Sequence, residues 1–242
     1  MTRIGARLAI EASWAVAPVL ARLHPPDAAQ ADPAAPAAYL TSVLHLPVPH
    51  ADALDRLMLS LFGPETPHHR YPPSSMHVTL LGGTGSSVGI EAMQADLAAA
   101  AEELGSPPLE VAIAGLAIGP GSLFAVLEPG DERFIRLRRR LRERWGLADP
   151  ARSIVGVADE LLHANLVRWT ARPDAELVAR LRRHRRIRTA PQPFTAVELV
   201  ETNKVLAEAR TTGLGHWPLA PGGPAERAAV GTEGPSGIDP SR

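Results

Sequence analysis

Two short segments combine a histidine with a hydrogen-bonding residue two positions later. The sequence reads His-Val-Thr from His77 to Thr79 and His-Ala-Asn from His163 to Asn165, both within apolar surroundings typical of β-strands. Side chains alternate along a strand, so each histidine shares a strand face with its polar companion. Polar groups on a buried strand face are costly unless they are bonded or line a cleft. The two segments therefore predict one shared cleft.

Two imidazoles beside two short polar groups are suited to reactions at phosphorus. A histidine with a pKa near 6.5 can be neutral and accept a proton while its partner is protonated and donates one. The Thr79 hydroxyl and the Asn165 amide can donate to non-bridging phosphate oxygens. We therefore predict His77 and His163 as catalytic and Thr79 and Asn165 as phosphate-binding, leaving open which histidine is the base.

The elements that position these residues occur in a repeated order. The pattern of strand, helix, strand, helix, strand appears twice, with strands at 42–48, 77–81, 109–118, 122–127, 161–169 and 194–200 and helices at 52–62, 90–104, 132–145 and after Pro173. This predicts an α+β fold of two pseudo-symmetric lobes with a cleft between them. Each lobe has a small, antiparallel-rich sheet with helices on its outside, and both histidines lie in second strands.

The ends of the chain differ in composition from its centre. Residues 1–38 comprise an N-terminal helix and a Pro/Ala-rich linker, for which disorder is an open alternative, and residues 213–242 are rich in Gly and Pro, as in a disordered tail. The bilobal domain is predicted over 39–212. Within it, the segment from Lys204 to Ala209 is a candidate for a final hairpin.

The amino-acid composition excludes some classes of functional site. With no cysteine, thiol nucleophiles and Cys-ligated zinc are excluded, and the adjacent His68 and His69 have no carboxylate at metal-ligand spacing. The apolar stretch 8–21 is interrupted by Glu11 and is too short for a membrane span. The expectations are therefore no membrane partner, a cytoplasmic location and a monomer.

Further substrate contacts are predicted around the histidines. We expect residues 68–71 to form a solvated loop at the cleft rim, with Arg70 and Tyr71 as possible substrate contacts. Arg168 is another candidate, although strict alternation turns it away from the face of His163. His45, on the first strand, faces either the cleft or the surface.

The chain resembles the two-histidine phosphoesterase superfamily, which includes bacterial 2′-5′ RNA ligases and 2′,3′-cyclic phosphodiesterases. Residues 77–82, His-Val-Thr-Leu-Leu-Gly, are similar to its first signature, and residues 163–168 are similar to its second, including an Arg five residues after the His. The resemblance spans about residues 42–209. It implies a bilobal fold, no metal or cofactor, and RNA or nucleotides with 2′,3′-cyclic or 2′-5′ phosphodiesters as substrates.

Asn165 departs from the Thr or Ser that is usual in that family. A non-catalytic RNA-binding module on the same fold is therefore an alternative to an enzyme. Residues 131–190 support it, because they hold 16 Arg against 8 Asp or Glu, although such basic faces are usually only solvated. A third alternative is a partner-binding protein that uses the apolar N-terminal segment.

Overall fold

A curled antiparallel sheet forms the frame of the protein. The computed structural model describes residues 3–23, 25–147 and 161–219. Within them the strands are β1 (Tyr39–His45), β2 (His69–Arg70), β3 (His77–Gly82), β4 (Glu110–Ile118), β5 (Ser122–Pro129), β6 (Leu162–Arg168), β7 (Gln192–Pro193), β8 (Ala196–Thr202) and β9 (Thr212–Pro218). The helices are α1 (Arg3–Leu23), α2 (Val48–Phe62), α3 (Ile90–Gly105), α4 (Arg133–Arg144) and α5 (Ala175–Arg183). The predicted α+β class is confirmed.

The strand order contains an internal pseudo-twofold relation. The sheet runs β7-β4-β5-β6-β3-β1-β8-β9, and β2 pairs with the end of β6. Reflecting this order about the β6–β3 contact matches β6 with β3, β5 with β1, β4 with β8 and β7 with β9. The two predicted pseudo-symmetric lobes are thus confirmed as two halves of one sheet.

The third strand of each repeat lies in the opposite half, which differs from the simple side-by-side lobes that the sequence order suggested. β4 and β5 are joined by only residues 119–121 and pair as an antiparallel hairpin. That short connection places β4 in the half that contains β5 and β6. In the matching way, β8 pairs with β1 rather than with β6. Each half of the sheet therefore contains one strand from the other repeat.

Helices pack on both halves of this sheet. Helices α3 and α4 pack on the half formed by β3, β1, β8 and β9, whereas α1 and α2 pack on the half formed by β4, β5 and β6. His50 of α2 is buried, and its Nε2 lies 2.8 Å from the carbonyl oxygen of Val111 on β4. The apolar core fills the space between helices and sheet.

The helix predicted near the N-terminus is present and packs on the sheet. Ala6, Ile10 and Trp14 recur every fourth residue and are buried. The indole N–H of Trp14 donates to the carbonyl oxygen of Leu116 over 2.8 Å. Glu11 forms ion pairs with two arginines that follow α5. Within the described part of the chain, no helix is both long and apolar enough to cross a membrane.

Gly115 on β4 allows α1 to approach the sheet closely. A Cβ atom there would clash with the carbonyl oxygen of Arg185 and the side chain of Ile10. We expect Gly115→Ala to lower the free energy of unfolding by about 1–3 kcal/mol, because backbone on one side must shift. Denaturant unfolding measures this. Gly121→Ala is the control, since nothing lies within 4 Å of its added Cβ, and equal losses in both variants would contradict the packing argument.

The folded chain extends beyond the predicted boundary at residue 212. Strand β9 pairs with β8 along most of its length, where the sequence predicted the beginning of a disordered tail. The segment from Lys204 to Ala209, predicted as the last hairpin strand, instead forms the connection between β8 and β9. Gly213 and Gly215 give β9 little intrinsic strand preference, and this misled the prediction. Residues 220–242 lie outside the described part.

Candidate functional site

The two histidine segments lie on neighbouring strands. Val78 of β3 pairs with Ala164 of β6 in an antiparallel ladder. In such a ladder the flanking residues are also opposite each other, so His77 faces Asn165 and Thr79 faces His163. Val78 and Ala164 are fully buried, His77 is buried with 9% exposure, and Thr79, His163 and Asn165 are partly accessible. The four polar residues therefore share one sheet face, called here the cleft face, with the histidines on a diagonal.

Each histidine is oriented by the same backbone contact. The Nδ1–H of His77 donates to the carbonyl oxygen of Ser75 over 2.8 Å, and Nδ1 of His163 lies 3.5 Å from the carbonyl oxygen of Leu161. A carbonyl can only accept, so the proton of His77 is on Nδ1 and the lone pair of its neutral ring is on Nε2. The longer contact of His163 comes from the equivalent place in the fold.

Burial sets the charge of His77. Its pKa is lowered to about 4, mainly because the ring is removed from water. The bond to Ser75 opposes this shift, whereas His45, His163 and Arg168 contribute to it. The ring is therefore neutral at pH 7. A neutral, oriented imidazole can accept a proton.

Arg168 lies on the cleft face, contrary to the alternation argument. Phe124 of β5 pairs with Asn165, but the preceding Leu123 pairs with Val167, so Leu166 is an extra residue in β6. Such a β-bulge reverses which face the following side chains occupy. Arg168 contributes electrostatically to both His77 and His69, in agreement with this placement.

Tyr71 also belongs to the site. Strand β2 pairs with the end of β6, and the ring of Tyr71 lies 6.3 Å from that of His77 and 5.1 Å from that of His69, measured between centroids. The Nε–H of Arg168 donates to the Tyr71 hydroxyl over 3.2 Å. That hydroxyl in turn lies 3.3 Å from the carbonyl oxygen of Lys204, to which it donates. Arg168 is thus held beside the histidines.

Arg70 and His68 of the predicted rim loop lie elsewhere. Arg70 donates to the carbonyl oxygen of Gly63 and forms an ion pair with Asp55 of α2, which is inconsistent with the predicted substrate contact. His68 is buried against Trp169 rather than solvated. Both corrections have one cause, because residues 69–70 form a strand in which alternate side chains face opposite sides.

Several cleft-face residues were not identified from the sequence as site residues. His45 pairs directly with His77 across β1 and β3, and its Nε2 lies 3.3 Å from a Glu198 oxygen. His216 of β9 contacts the other oxygen of Glu198 at 3.0 Å. The ring of Phe124 packs edge-on against that of His163, with centroids 5.2 Å apart. No motif marked these positions, since they become neighbours only through strand pairing.

Much of the arginine excess is already neutralised or used within the fold. Arg138 is buried and donates to the carbonyl oxygens of Thr79 and Leu80. Other arginines of the basic segments form ion pairs with carboxylates, namely Arg133, Arg140, Arg144, Arg185 and Arg186. These contacts weaken the argument for RNA binding that rests on a freely solvated basic surface.

The described residues contain no group of three His, Asp or Glu side chains arranged to hold a metal ion. Acid–base chemistry by the histidines is what the arrangement can supply.

Comparison with solved structures identifies the fold. Escherichia coli LigT complexed with ATP aligns with a TM-score of 0.50 at 16% identity, covering 77% of this chain and 99% of LigT. LigT complexed with phosphate aligns equally well at 15% identity, covering 76% and 98%. TT0787 of Thermus thermophilus has a TM-score of 0.48 at 20% identity, covering 75% and 98%. No family model and no curated protein matches the chain. The similarity to LigT shows a common fold.

Proposed function

We propose that this chain, which has the fold of the two-histidine phosphoesterases, hydrolyses or reversibly ligates 2′,3′-cyclic or 2′-5′ phosphodiesters of RNA or nucleotides without a metal. One observation carries the proposal. His77 and His163 come from symmetry-related strands, share one face and are oriented by equivalent backbone contacts. Such a diagonal pair can act on opposite sides of one phosphorus atom.

The charge of His77 suggests how the two roles are divided. Neutral His77 accepts a proton from water through Nε2, or from a hydroxyl group in ligation, as the oxygen attacks phosphorus. Protonated His163 donates from Nε2 to the leaving oxygen as the old P–O bond breaks. His163 is the more accessible of the two rings.

The remaining site residues can stabilise the developing charge. The Thr79 hydroxyl lies opposite His163 and the Asn165 amide opposite His77, so each can donate to a non-bridging oxygen from its own side. Arg168, held by Tyr71, adds positive charge at the edge of the bound phosphate group. We include Arg168 in the proposed substrate site, but not Arg70. Tyr71 is fully buried and positions Arg168 rather than contacting the substrate.

The ligands seen with LigT carry phosphate groups, and one of them is a nucleotide. LigT has been crystallised with ATP and with phosphate. A phosphate-bearing nucleotide also fits a face with two histidines, an arginine and two neutral hydrogen-bond donors. This supports a substrate with a nucleotide phosphate group.

Hydrolysis of a nucleoside 2′,3′-cyclic phosphate in excess EDTA tests the proposal. We expect turnover to a single nucleoside monophosphate, resolved by chromatography, at a rate that added Mg²⁺ or Zn²⁺ does not raise. Turnover that EDTA abolishes would contradict metal independence. Absence of turnover with cyclic nucleotides and with short 2′-5′-linked oligonucleotides would reject the enzyme. Salt-sensitive RNA binding without turnover, retained after replacement of both histidines, would support the binding module instead.

A further inference from the structure

The cleft face is asymmetric where the fold is pseudo-symmetric. Strands β1 and β5 are equivalent, yet β1 places His45 opposite His77, whereas β5 places Val126 opposite His163. Beyond β1, the polar surface continues with Glu198 on β8 and His216 on β9. Near His163 the corresponding surface includes the ring of Phe124. The two sides of the cleft therefore offer different chemistry to a substrate.

Glu198 is the centre of the polar side. One carboxylate oxygen contacts His45 at 3.3 Å and the other contacts His216 at 3.0 Å. A carboxylate offers about four acceptor positions, so two histidine N–H groups leave capacity for a ligand donor. The side chain of Glu198 is 27% exposed and can be reached. Nδ1 of His45 is buried without a hydrogen-bond partner among the described residues, so this cluster is not internally saturated.

We propose that Glu198, held by His45 and His216, forms a subsite beside His77 that binds a free hydroxyl group of the nucleoside and excludes a second phosphate. This inference rests on the proposed function, because it assumes a phosphodiester at the two catalytic histidines. A carboxylate accepts hydrogen bonds from a hydroxyl group but repels a phosphate oxygen. The subsite therefore selects a substrate end with a free hydroxyl.

The opposite charges of Arg168 and Glu198 support the placement of the free hydroxyl group near Glu198. Arg168 lies on the cleft face at the end of β6, whereas Glu198 lies two strands from β3 on the other side. The guanidinium attracts the phosphate held at the two histidines, whereas the carboxylate repels an additional phosphate. Electrostatic complementarity of this kind determines the orientation of a ligand more than its total affinity. The nucleoside should therefore place its free hydroxyl, rather than a phosphate, near Glu198.

Calorimetric titration with two product-like nucleotides tests the subsite. We expect the wild type to bind adenosine 3′-monophosphate about tenfold more tightly than adenosine 3′,5′-bisphosphate, the size expected for one partly screened charge repulsion. Glu198→Gln should bring the two dissociation constants within about twofold of each other, mainly by tightening the bisphosphate. Because no turnover is needed, the measurement does not depend on catalysis.

Glu201→Gln is the matched control. Glu201 is exposed on the same strand but three residues away, so it faces the other side of the sheet. This variant should keep the wild-type preference. Should Glu198→Gln fail to fold, raising salt from about 0.05 M to about 1 M must reduce the wild-type preference. Equal binding of both nucleotides, or a preference that Glu198→Gln leaves intact, would overturn the subsite alone. Failure of the wild type to bind either nucleotide would overturn the proposed function as well.

Discussion

His77→Ala and His163→Ala are each expected to lower kcat for a 2′,3′-cyclic nucleotide by about 10²- to 10⁴-fold. Each substitution removes one of the two groups that move a proton in the transition state. KM should change less than kcat, because Thr79, Asn165 and Arg168 remain to hold the phosphate. Steady-state kinetics in EDTA give both constants.

The double variant and a control variant make this test specific. Groups that act on the same transition state are not additive, so the double variant should be little worse than the poorer single variant. His184→Ala is the control, since His184 is exposed at the end of α5, and it should retain wild-type kinetics. Activity within about threefold of wild type in either single variant would reject that histidine as a catalytic group.

The pH profile separates the two roles. If His77 is the base, the acidic limb of kcat/KM reflects its lowered pKa and falls off well below the 6.5 of an ordinary histidine. His77→Ala should remove this limb, and His163→Ala should remove the alkaline limb. The reverse pattern would exchange the roles but keep the mechanism.

The face that carries the histidines was predictable because it depends only on local alternation. His77 and Thr79 share a face by strand geometry alone, and the repeated order of elements indicated that His163 and Asn165 occupy the equivalent place. The apolar residues between them, Val78 and Ala164, face the other side of the sheet and are buried, as alternation requires. Local periodicity therefore predicted the fold class and the shared face of these four polar residues.

What could not be predicted depends on strand pairing between distant segments. The bulge at Leu166, which turns Arg168 into the cleft, is evident only from the pairing of β5 with β6. The placement of β4 and β8 in opposite halves of the sheet also cannot be predicted from the number and order of the strands. His45, Glu198 and His216 come from three separate segments, and only the order β1-β8-β9 makes them neighbours. The glycine-rich β9 has no strong strand signal of its own.

Acidification is expected to destabilise the protein through His77, and His77→Gln should remove part of that effect. The pKa of His77 is about 4 in the folded chain and about 6.5 in the unfolded chain. Between these values the unfolded state binds one more proton, so stability falls as pH falls. At about pH 4.5 the loss relative to neutral pH is about 2.5 kcal/mol. Above about pH 7 the residue contributes no pH dependence.

Urea unfolding at several pH values measures this effect. The carboxylates titrate in both proteins, so the difference between wild type and His77→Gln isolates the imidazole. Between about pH 7 and pH 4.5, the unfolding free energy of the wild type should fall by about 2.5 kcal/mol more than that of His77→Gln. Asn165→Leu is the control, because it alters the residue opposite His77 without removing a titratable group, and its curve should run parallel to wild type. If the His77→Gln curve also runs parallel, His77 is not buried as a neutral ring. The protein environment would then not keep His77 neutral, and the assignment of His77 as the base and His163 as the acid would have no physical basis.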